Sequence, residues 1–276
     1  MTVIVPMHNR ADSIAAALRS IAQQTRRPAR VIVVDDASTD DSIAVARTSN
    51  LANLELIELK SNHGAGAARN VGAMLATTNW LAFLDADDTW EPTFLELVVG
   101  GAVHLDADFA SSGGIREMVR VPTIVRVLKG SPDARDATAD FWRIARHWMP
   151  IVPSSAVIAR HAFVRAGGFD DDVRWGEDVP FFARLWLNGR FVFVNEPLYR
   201  SAQRPDGLSA LRRSYRDTAL HLLRIGDTLV RAAIKRQPGT RVFVGTYVRR
   251  VYRRHRNYAS GVLRSWYRSK KSHRLG

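Results

Sequence analysis

Four short strand-like runs alternate with helical patterns over the first third of the chain. The runs at 3–5, 31–34 and 80–84 are continuously apolar, and the run at 54–59 alternates apolar and polar residues. Continuous Val and Ile runs are typical of strands covered on both faces, as in a parallel sheet whose crossover connections are helices. The alternation therefore predicts an α/β fold with a mostly parallel central sheet flanked by helices.

The remainder of the chain has a weaker pattern. Residues 113–152 mix Gly, Pro and basic residues, and we predict a variable segment of helix and loop there. After this segment we predict a strand at 155–159, a short helix ended by the glycines at 167–168, a helix at 177–187 and a strand at 190–194. From residue 210, apolar residues recur at steps of three or four, which predicts a helical C-terminal extension.

Acidic side chains stand directly after two of the predicted strands. Asp35 and Asp36 follow the second strand, and Asp85, Asp87 and Asp88 follow the fourth. Ligands of open parallel sheets bind beyond the carboxyl ends of the strands, so we expect both clusters to face one crevice. Carboxylates there accept hydrogen bonds from base or ribose groups, or hold a hard divalent cation. The alternative is that they only cap helices and stabilise turns.

A glycine-rich segment at 64–70 is similar to a dinucleotide-binding fingerprint but departs from it. Its sixth position is Arg69 rather than Gly, and the segment follows the third predicted strand rather than the first. The simpler interpretation is a helix start that can face an anion with its N–H groups. The chain has no cysteine, which excludes thiol nucleophiles and thiolate metal sites.

Seven short blocks occur in order along the chain: 3–9 (VIVPMHN), 33–40 (VVDDASTD), 62–70 (NHGAGAARN), 83–88 (FLDADD), 167–170 (GGFD), 176–178 (GED) and 197–200 (PLYR). Together they resemble the family 2 inverting glycosyltransferases, which have the GT-A fold. The resemblance covers about residues 1–205. It implies a catalytic domain at 1–209, with a donor half at 1–112 and an acceptor half at 113–209. The basic helical extension predicted at 210–276 is not part of the resemblance.

The resemblance also implies a nucleotide-sugar site. Asp36 is expected to read the nucleobase, and Asp85 and Asp87 to form a DxD motif that contacts the ribose and the metal on the diphosphate. Asp87 and Asp88 are the implied ligands of a divalent cation, Mg²⁺ or Mn²⁺. The full set of implied nucleotide-sugar-binding residues is Pro6, Asn9, Asp35, Asp36, Arg69, Asp85, Ala86, Asp87, Arg200 and Arg204.

The expected catalytic base is Asp178, with Glu177 and Trp175 on the acceptor side. An inverting transfer needs a base that takes the proton of the acceptor hydroxyl as that hydroxyl attacks the anomeric carbon. A divalent cation and arginines can stabilise the charge that grows on the nucleoside diphosphate. The alternative is that Glu177 and Asp178 only complement the dipole of a helix start, and that Trp175 is a packing residue.

The implied activity is transfer of a sugar from a nucleoside diphosphate donor, with a UDP sugar favoured, to a hydroxyl of a glycan or lipid-linked acceptor. Two other functions stay open. The first is a sugar-nucleotide nucleotidyltransferase, although such enzymes usually have a glycine-rich loop after the first strand and residues 7–11 contain no glycine. The second is a non-catalytic protein that binds nucleotide sugars.

The positive charge is concentrated at the end of the chain. Residues 228–276 contain 11 Arg, 3 Lys and no acidic residue, so they contribute +14 to a net charge of +13. Either this segment binds an anionic membrane surface, or its apolar face packs on the catalytic body. We expect no nucleic-acid partner. No apolar run approaches the roughly 20 residues that span a bilayer, and no secretory signal is visible, so the expected location is the cytoplasm. If the basic segment binds a membrane, the protein would be peripheral at its inner face.

Overall fold

The computed structural model describes residues 1–117, 151–171 and 176–202. The helices of these residues are α1 (Ile14–Ala22), α2 (Ser42–Arg47), α3 (Ala65–Leu75), α4 (Phe94–His104), α5 (Arg160–Arg165) and α6 (Asp178–Asn188), with a 3-10 turn at Pro153–Ser155. The strands are β1 (Thr2–Met7), β2 (Arg30–Asp35), β3 (Leu54–Glu58), β4 (Trp80–Phe83), β5 (Asp88–Trp90), β6 (Phe109–Glu117), β7 (Ala156–Ala159) and β8 (Phe191–Ala202).

One sheet joins the eight described strands in the order β3-β2-β1-β4-β7-β6-β8-β5. The first four strands of that order are parallel to one another. Farther along, β7 is antiparallel to both of its neighbours, β6 and β8 are parallel, and β5 is antiparallel to β8. In register, Met7 lies opposite Asp35, and Asp35 opposite Glu58. The loops that follow β1, β2 and β3 therefore leave the sheet at the same edge.

Helices cover both faces of the sheet because side chains alternate between the faces along each strand. Val3 and Val5 of β1 pack in the layer that contains the apolar sides of α1 and α4. Ile4, between them, packs in the opposite layer with residues of α3, α5 and α6. Helix α3 lies directly on β1, since a Cβ atom on Gly72 would stand 2.4 Å from Cγ2 of Ile4.

The α/β fold with helices on both faces is confirmed, and the four strands predicted at 3–5, 31–34, 54–59 and 80–84 are present as β1 to β4, within two residues of the expected bounds. The interpretation of 113–152 as helix and loop is wrong at its start, where β6 continues to Glu117. Glycine made this strand look like a loop: a Cβ atom on Gly114 would overlap the ring of Tyr199, so glycine here marks a close approach between strands.

Some predictions fall on residues outside the described ranges. These are residues 118–150 of the 113–152 segment, Trp175, Arg204 and the basic extension at 210–276. Among the described residues, no helix is long and apolar enough to cross a membrane.

Candidate active site

The loops after β1 and β2 are tied together at the edge where these strands end. The backbone N–H of Asn9 donates to Oγ of Ser38 at 2.9 Å, and the N–H of Thr39 donates to Oδ1 of Asn9 at 2.8 Å. Asn9 and Ala37 both have positive φ angles, 50° and 58°, a backbone conformation that non-glycine residues rarely adopt. Pro6 is buried within β1. These contacts make the two strand-end loops one ordered unit.

Asp36 joins the end of β2 to the start of α3. Its two carboxylate oxygens accept hydrogen bonds from the backbone N–H groups of His63 and Gly64, at 2.8 and 2.7 Å. Asp36 is 2% exposed, so these two hydrogen bonds take up most of the capacity of its carboxylate to accept hydrogen bonds. Asp35 is also buried and accepts a hydrogen bond from the N–H of Ser38 at 3.0 Å. In this structure both aspartates therefore organise the backbone around the α3 N-terminus.

Arg69 is the central charged residue of the site. It lies on α3, is 3% exposed, and donates from Nη2 to Oδ1 of Asp85 and from Nη1 to Oε1 of Glu177, at 2.6 Å each. Its guanidinium also lies over the ring of Phe169, 5.1 Å from the ring centroid. Although burial opposes the charge, the two carboxylates hold the pKa of Arg69 above its ordinary value, so the guanidinium stays protonated.

Asp178 is the first residue of α6 and is half-buried beside this network. Burial, followed by the negative charge of Glu177, raises the pKa of Asp178 to about 7; Arg69 acts in the opposite direction and Asp85 adds to the rise. A carboxyl group with this pKa exchanges its proton near neutral pH, which is the property that a general base needs. The structure thus brings Asp85, Arg69, Glu177 and Asp178 together.

The loop at 85–88, which carries the remaining acidic residues, is held in place by Ser154 from the acceptor half of the chain. Oγ of Ser154 accepts a hydrogen bond from the N–H of Asp85 at 3.0 Å, and the hydroxyl also bonds to the carboxyl group of Asp88. Asp88 is 5% exposed. Its burial, with the nearby charges of Asp85 and Asp87, raises its pKa well above the ordinary value. Ala86 is part of the apolar core.

Asp87 differs from Asp88 in its surroundings. Its side chain is 21% exposed, and Nε of Arg10 lies 3.4 Å from its Oδ2. Among the described residues, no group of three or more His, Asp or Glu side chains is arranged to hold a metal ion. A cation that bridges phosphates takes only one or two protein carboxylates, however. Asp87, accessible and already beside a positive group, fits that role better than the buried Asp88.

The segment that leads to Asp178 is fixed against α3. The side-chain amide of Asn70 donates to the carbonyl oxygen of Phe169 at 2.8 Å and accepts from its N–H at 2.9 Å. Arg184 of α6 donates to Asp170 at 3.0 Å and to the carbonyl oxygen of Gly168 at 2.6 Å. The 167–170 block therefore orients α6, and with it Asp178, relative to α3.

One residue predicted to bind the donor, Arg200, forms its ion pair outside the network around Arg69. Arg200 of β8 is exposed and donates from Nε to Oε1 of Glu91 at 2.8 Å. Two residues that organise the site were not predicted, Arg10 and Ser154. Arg10 directly follows the first block of the resemblance, which was a usable signal, whereas nothing in the local sequence marks Ser154.

Comparison with known proteins identifies the family. The sequence profile described as glycosyl transferase family 2 matches residues 2–151, more than half of the chain. The chain belongs to this family, and the resemblance seen in its motifs is confirmed. The glycosyltransferase YibD of Escherichia coli is 35% identical over 226 residues, and the succinoglycan biosynthesis protein ExoU of Rhizobium meliloti is 26% identical over 226 residues.

A solved structure gives the same fold. S. aureus TarS 1-349 in complex with UDP-GlcNAc has a TM-score of 0.64 and 23% sequence identity, over 81% of this chain and 66% of TarS 1-349. The alignments with YibD and ExoU each cover 77% of this chain and 64% of the length of the relative. The chain therefore has the GT-A fold and spans less than two thirds of each of these three proteins.

Proposed function

We propose that this protein is an inverting glycosyltransferase that moves a sugar from a nucleoside diphosphate donor to an acceptor hydroxyl. One observation carries the proposal: buried Arg69 joins Asp85, at the carboxyl end of β4, to Glu177, which directly precedes Asp178. The carboxylates expected on the donor side and the expected base thus belong to one connected site. A carboxyl group with a pKa near neutrality beside such a network is typical of catalytic sites.

In the proposed reaction, Asp178 removes the proton of the acceptor hydroxyl while the hydroxyl oxygen attacks the anomeric carbon. The new glycosidic bond forms as the bond from that carbon to the diphosphate oxygen breaks, and nucleoside diphosphate leaves. The configuration at the anomeric carbon inverts because attack and departure occur on opposite faces. No protein nucleophile is needed, and the chain has no cysteine that could serve as one.

We assign the diphosphate side of the site to Asp87, Asp85 and Arg10. Asp87 and Asp85 have side chains 21% and 32% exposed, so they remain accessible to a cation with the donor. A bound Mg²⁺ or Mn²⁺ would supply the positive charge that stabilises the departing diphosphate. In this assignment Asp88 holds the 85–88 loop in place through its hydrogen bond with Ser154. Arg10, next to Asp87, is placed to contact the phosphate oxygens of the donor.

A UDP sugar is the donor class that we favour. TarS, which shares the fold, has been crystallised with UDP-GlcNAc. The ordered unit made by the loops after β1 and β2 adjoins Asp36, whose carboxylate holds the N–H groups of His63 and Gly64, and we assign the nucleobase to this edge of the sheet. For the acceptor we favour a glycan or lipid-linked glycan in polysaccharide biosynthesis, since ExoU is named as a succinoglycan biosynthesis protein.

A panel of sugar nucleotides tests this function. With Mn²⁺ or Mg²⁺ present, one UDP sugar is expected to raise the melting temperature, because a ligand at 100 times its Kd stabilises the folded state by about 2.7 kcal/mol. The same compound is expected to be hydrolysed slowly to UDP and free sugar. Conversion of the UDP sugar and added pyrophosphate to UTP and sugar 1-phosphate would instead indicate a nucleotidyltransferase. A thermal shift without any turnover, with or without glycan acceptors, would indicate a binding protein.

We further propose that the basic segment at 228–276 holds the enzyme on an anionic membrane surface, where a lipid-linked acceptor would lie. Its +14 charge and the apolar periodicity of its sequence support this. The protein is expected to co-sediment with vesicles that contain phosphatidylglycerol and to be released by salt. Replacing Arg249, Arg250, Arg253 and Arg254 with Gln should weaken that binding. Equal binding of both proteins to neutral and anionic vesicles, or none to either, would contradict the proposal.

A further inference from the structure

We infer that Glu177 is a positioning residue, and that its contact with Arg69 fixes where Asp178 stands relative to Asp85. This inference rests on the proposed function and changes the role of Glu177, which the sequence placed on the acceptor side. In the structure, α3 contributes Arg69, the loop after β4 contributes Asp85, and the start of α6 contributes Glu177 and Asp178. The contacts of Arg69 with Asp85 and Glu177, which we call the Arg69 bridge, thus connect the donor side of the site to the expected catalytic base, Asp178.

The geometry of the bridge favours a fixed arrangement. The two terminal nitrogens of Arg69 contact different carboxylates, each at 2.6 Å. A guanidinium is planar and presents its donors in a rigid fork, so the two contacts define the separation and orientation of Asp85 and Glu177. The ring of Phe169, 5.1 Å from the guanidinium carbon, covers one side of the group. Each of these contacts restricts the others.

Packing leaves Glu177 little room for another role. Glu177 is 7% exposed, so its carboxylate has little surface to offer an acceptor sugar. A Cβ atom on Gly66 would lie 3.0 Å from Cγ of Glu177 and 3.2 Å from the carbonyl oxygen of Asp170. The first turn of α3 therefore closes directly over the Glu177 side chain. Because Asp178 is the next residue, anchoring Glu177 also anchors the first turn of α6.

The bridge also surrounds Asp178 with charge from three elements. Glu177 on α6 and Asp85 after β4 are negative and disfavour the ionised base, whereas Arg69 on α3 is positive and favours it. Removing only the charge of Glu177 should therefore make Asp178 easier to ionise. A residue that acted merely as packing would not change the ionisation of its neighbour in this direction.

The first test is the pH dependence of kcat/KM for Glu177→Gln. The amide oxygen can still accept from Arg69, but the negative charge is gone, so the ascending limb of the profile is expected to move about one unit to lower pH. The matched control is Glu58→Gln, which removes a carboxylate from the exposed pair with Arg47 and should leave the limb in place. An unshifted profile for Glu177→Gln overturns the inference, as does a rise in acceptor KM without a shift.

A second variant separates position from charge. Glu177→Asp keeps the charge beside buried Arg69 but is one methylene shorter, so it cannot hold the first turn of α6 at the same distance. We expect kcat to fall at least tenfold, with donor KM and the pH limb near the wild-type values. Wild-type kcat in Glu177→Asp also overturns the inference. If the wild-type protein transfers sugar and Asp178→Asn does not, either of these failures would leave the proposed function intact.

Discussion

Replacing Asp178 with Asn is expected to reduce sugar transfer by about 10²–10⁴-fold while the thermal shift caused by the donor persists. A general base contributes a rate factor of this size, and Asn has nearly the same shape but cannot take a proton at neutral pH. The donor contacts assigned to Asp85, Asp87 and Arg10 do not involve the substituted side chain. Turnover and thermal shift, measured on the same preparation, separate catalysis from binding. Turnover at the wild-type rate would remove Asp178 from the mechanism.

The same substitution is expected to stabilise the protein above neutral pH. Burial and the charge of Glu177 raise the pKa of Asp178 to about 7, above the ordinary value of the unfolded chain. Between these two pKa values the folded state binds more protons than the unfolded state, so its stability falls as pH rises through this interval. At pH 8 the ionised carboxylate therefore opposes folding, and Asn removes that cost, which is about 1–4 kcal/mol.

Thermal melting at two pH values checks this prediction. Asp178→Asn should melt several degrees above the wild-type protein at pH 8, and the difference should become small near pH 4.5, where Asp178 is protonated in the folded protein. The control is Asp106→Asn, since the Asp106 side chain is 88% exposed and its replacement should change stability little at either pH. A lower melting temperature for Asp178→Asn at pH 8 would show that Asp178 is not held at an unfavourable ionisation state.

Replacing Arg69 with Met is expected to destabilise the protein by about 3–5 kcal/mol and to abolish transfer. The substitution leaves the carboxylate of Glu177 buried without its positive partner, and breaking a buried ion pair in this way has a cost of that order. The control is Arg47→Met. Arg47 forms an equally short contact with Glu58, but its side chain is 66% exposed, so we expect a loss of only about 0–1 kcal/mol. Urea unfolding measures both values.

A double variant tests the cause of that loss. Arg69→Met combined with Glu177→Met replaces the buried pair with apolar groups of similar size and should recover most of the lost stability. It should not recover transfer, because the position of Asp178 would no longer be fixed. If the double variant is as unstable as Arg69→Met alone, the loss comes from packing on Phe169 rather than from an uncompensated charge.

Strands β1 to β4 and the helices between them could be predicted because each follows a local rule. The Val and Ile runs of β1 and β2 are buried on both faces, and the helices between them supply the crossovers that parallel strands need. Strand β6 could not be predicted in the same way. Its glycines look like loop residues until the ring of Tyr199, which occupies the space over Gly114, is known. That contact joins residues 85 positions apart, beyond the reach of any local pattern.

The site shows the same division between local and long-range information. The acidic residues after β2 and β4, Arg69 and the 177–178 pair could all be selected from sequence blocks. The partners of Arg69 could not, because Asp85 and Glu177 are 16 and 108 positions away along the chain. The role of Ser154, which supports the 85–88 loop from the other half of the molecule, depends on the return of β7 beside β4. Long-range pairing of this kind decides which polar side chains meet.

A crystal structure of Asp178→Asn with Mn²⁺ and the intact UDP sugar selected by the panel tests the central claim most directly. The diphosphate is expected beside Asp85 and Asp87, and the nucleobase of the donor near the loops after β1 and β2. The anomeric carbon is expected to be open to an acceptor on the side of residue 178. A donor bound at another surface, or with its anomeric carbon separated from residue 178 by the Arg69 bridge, would contradict the account.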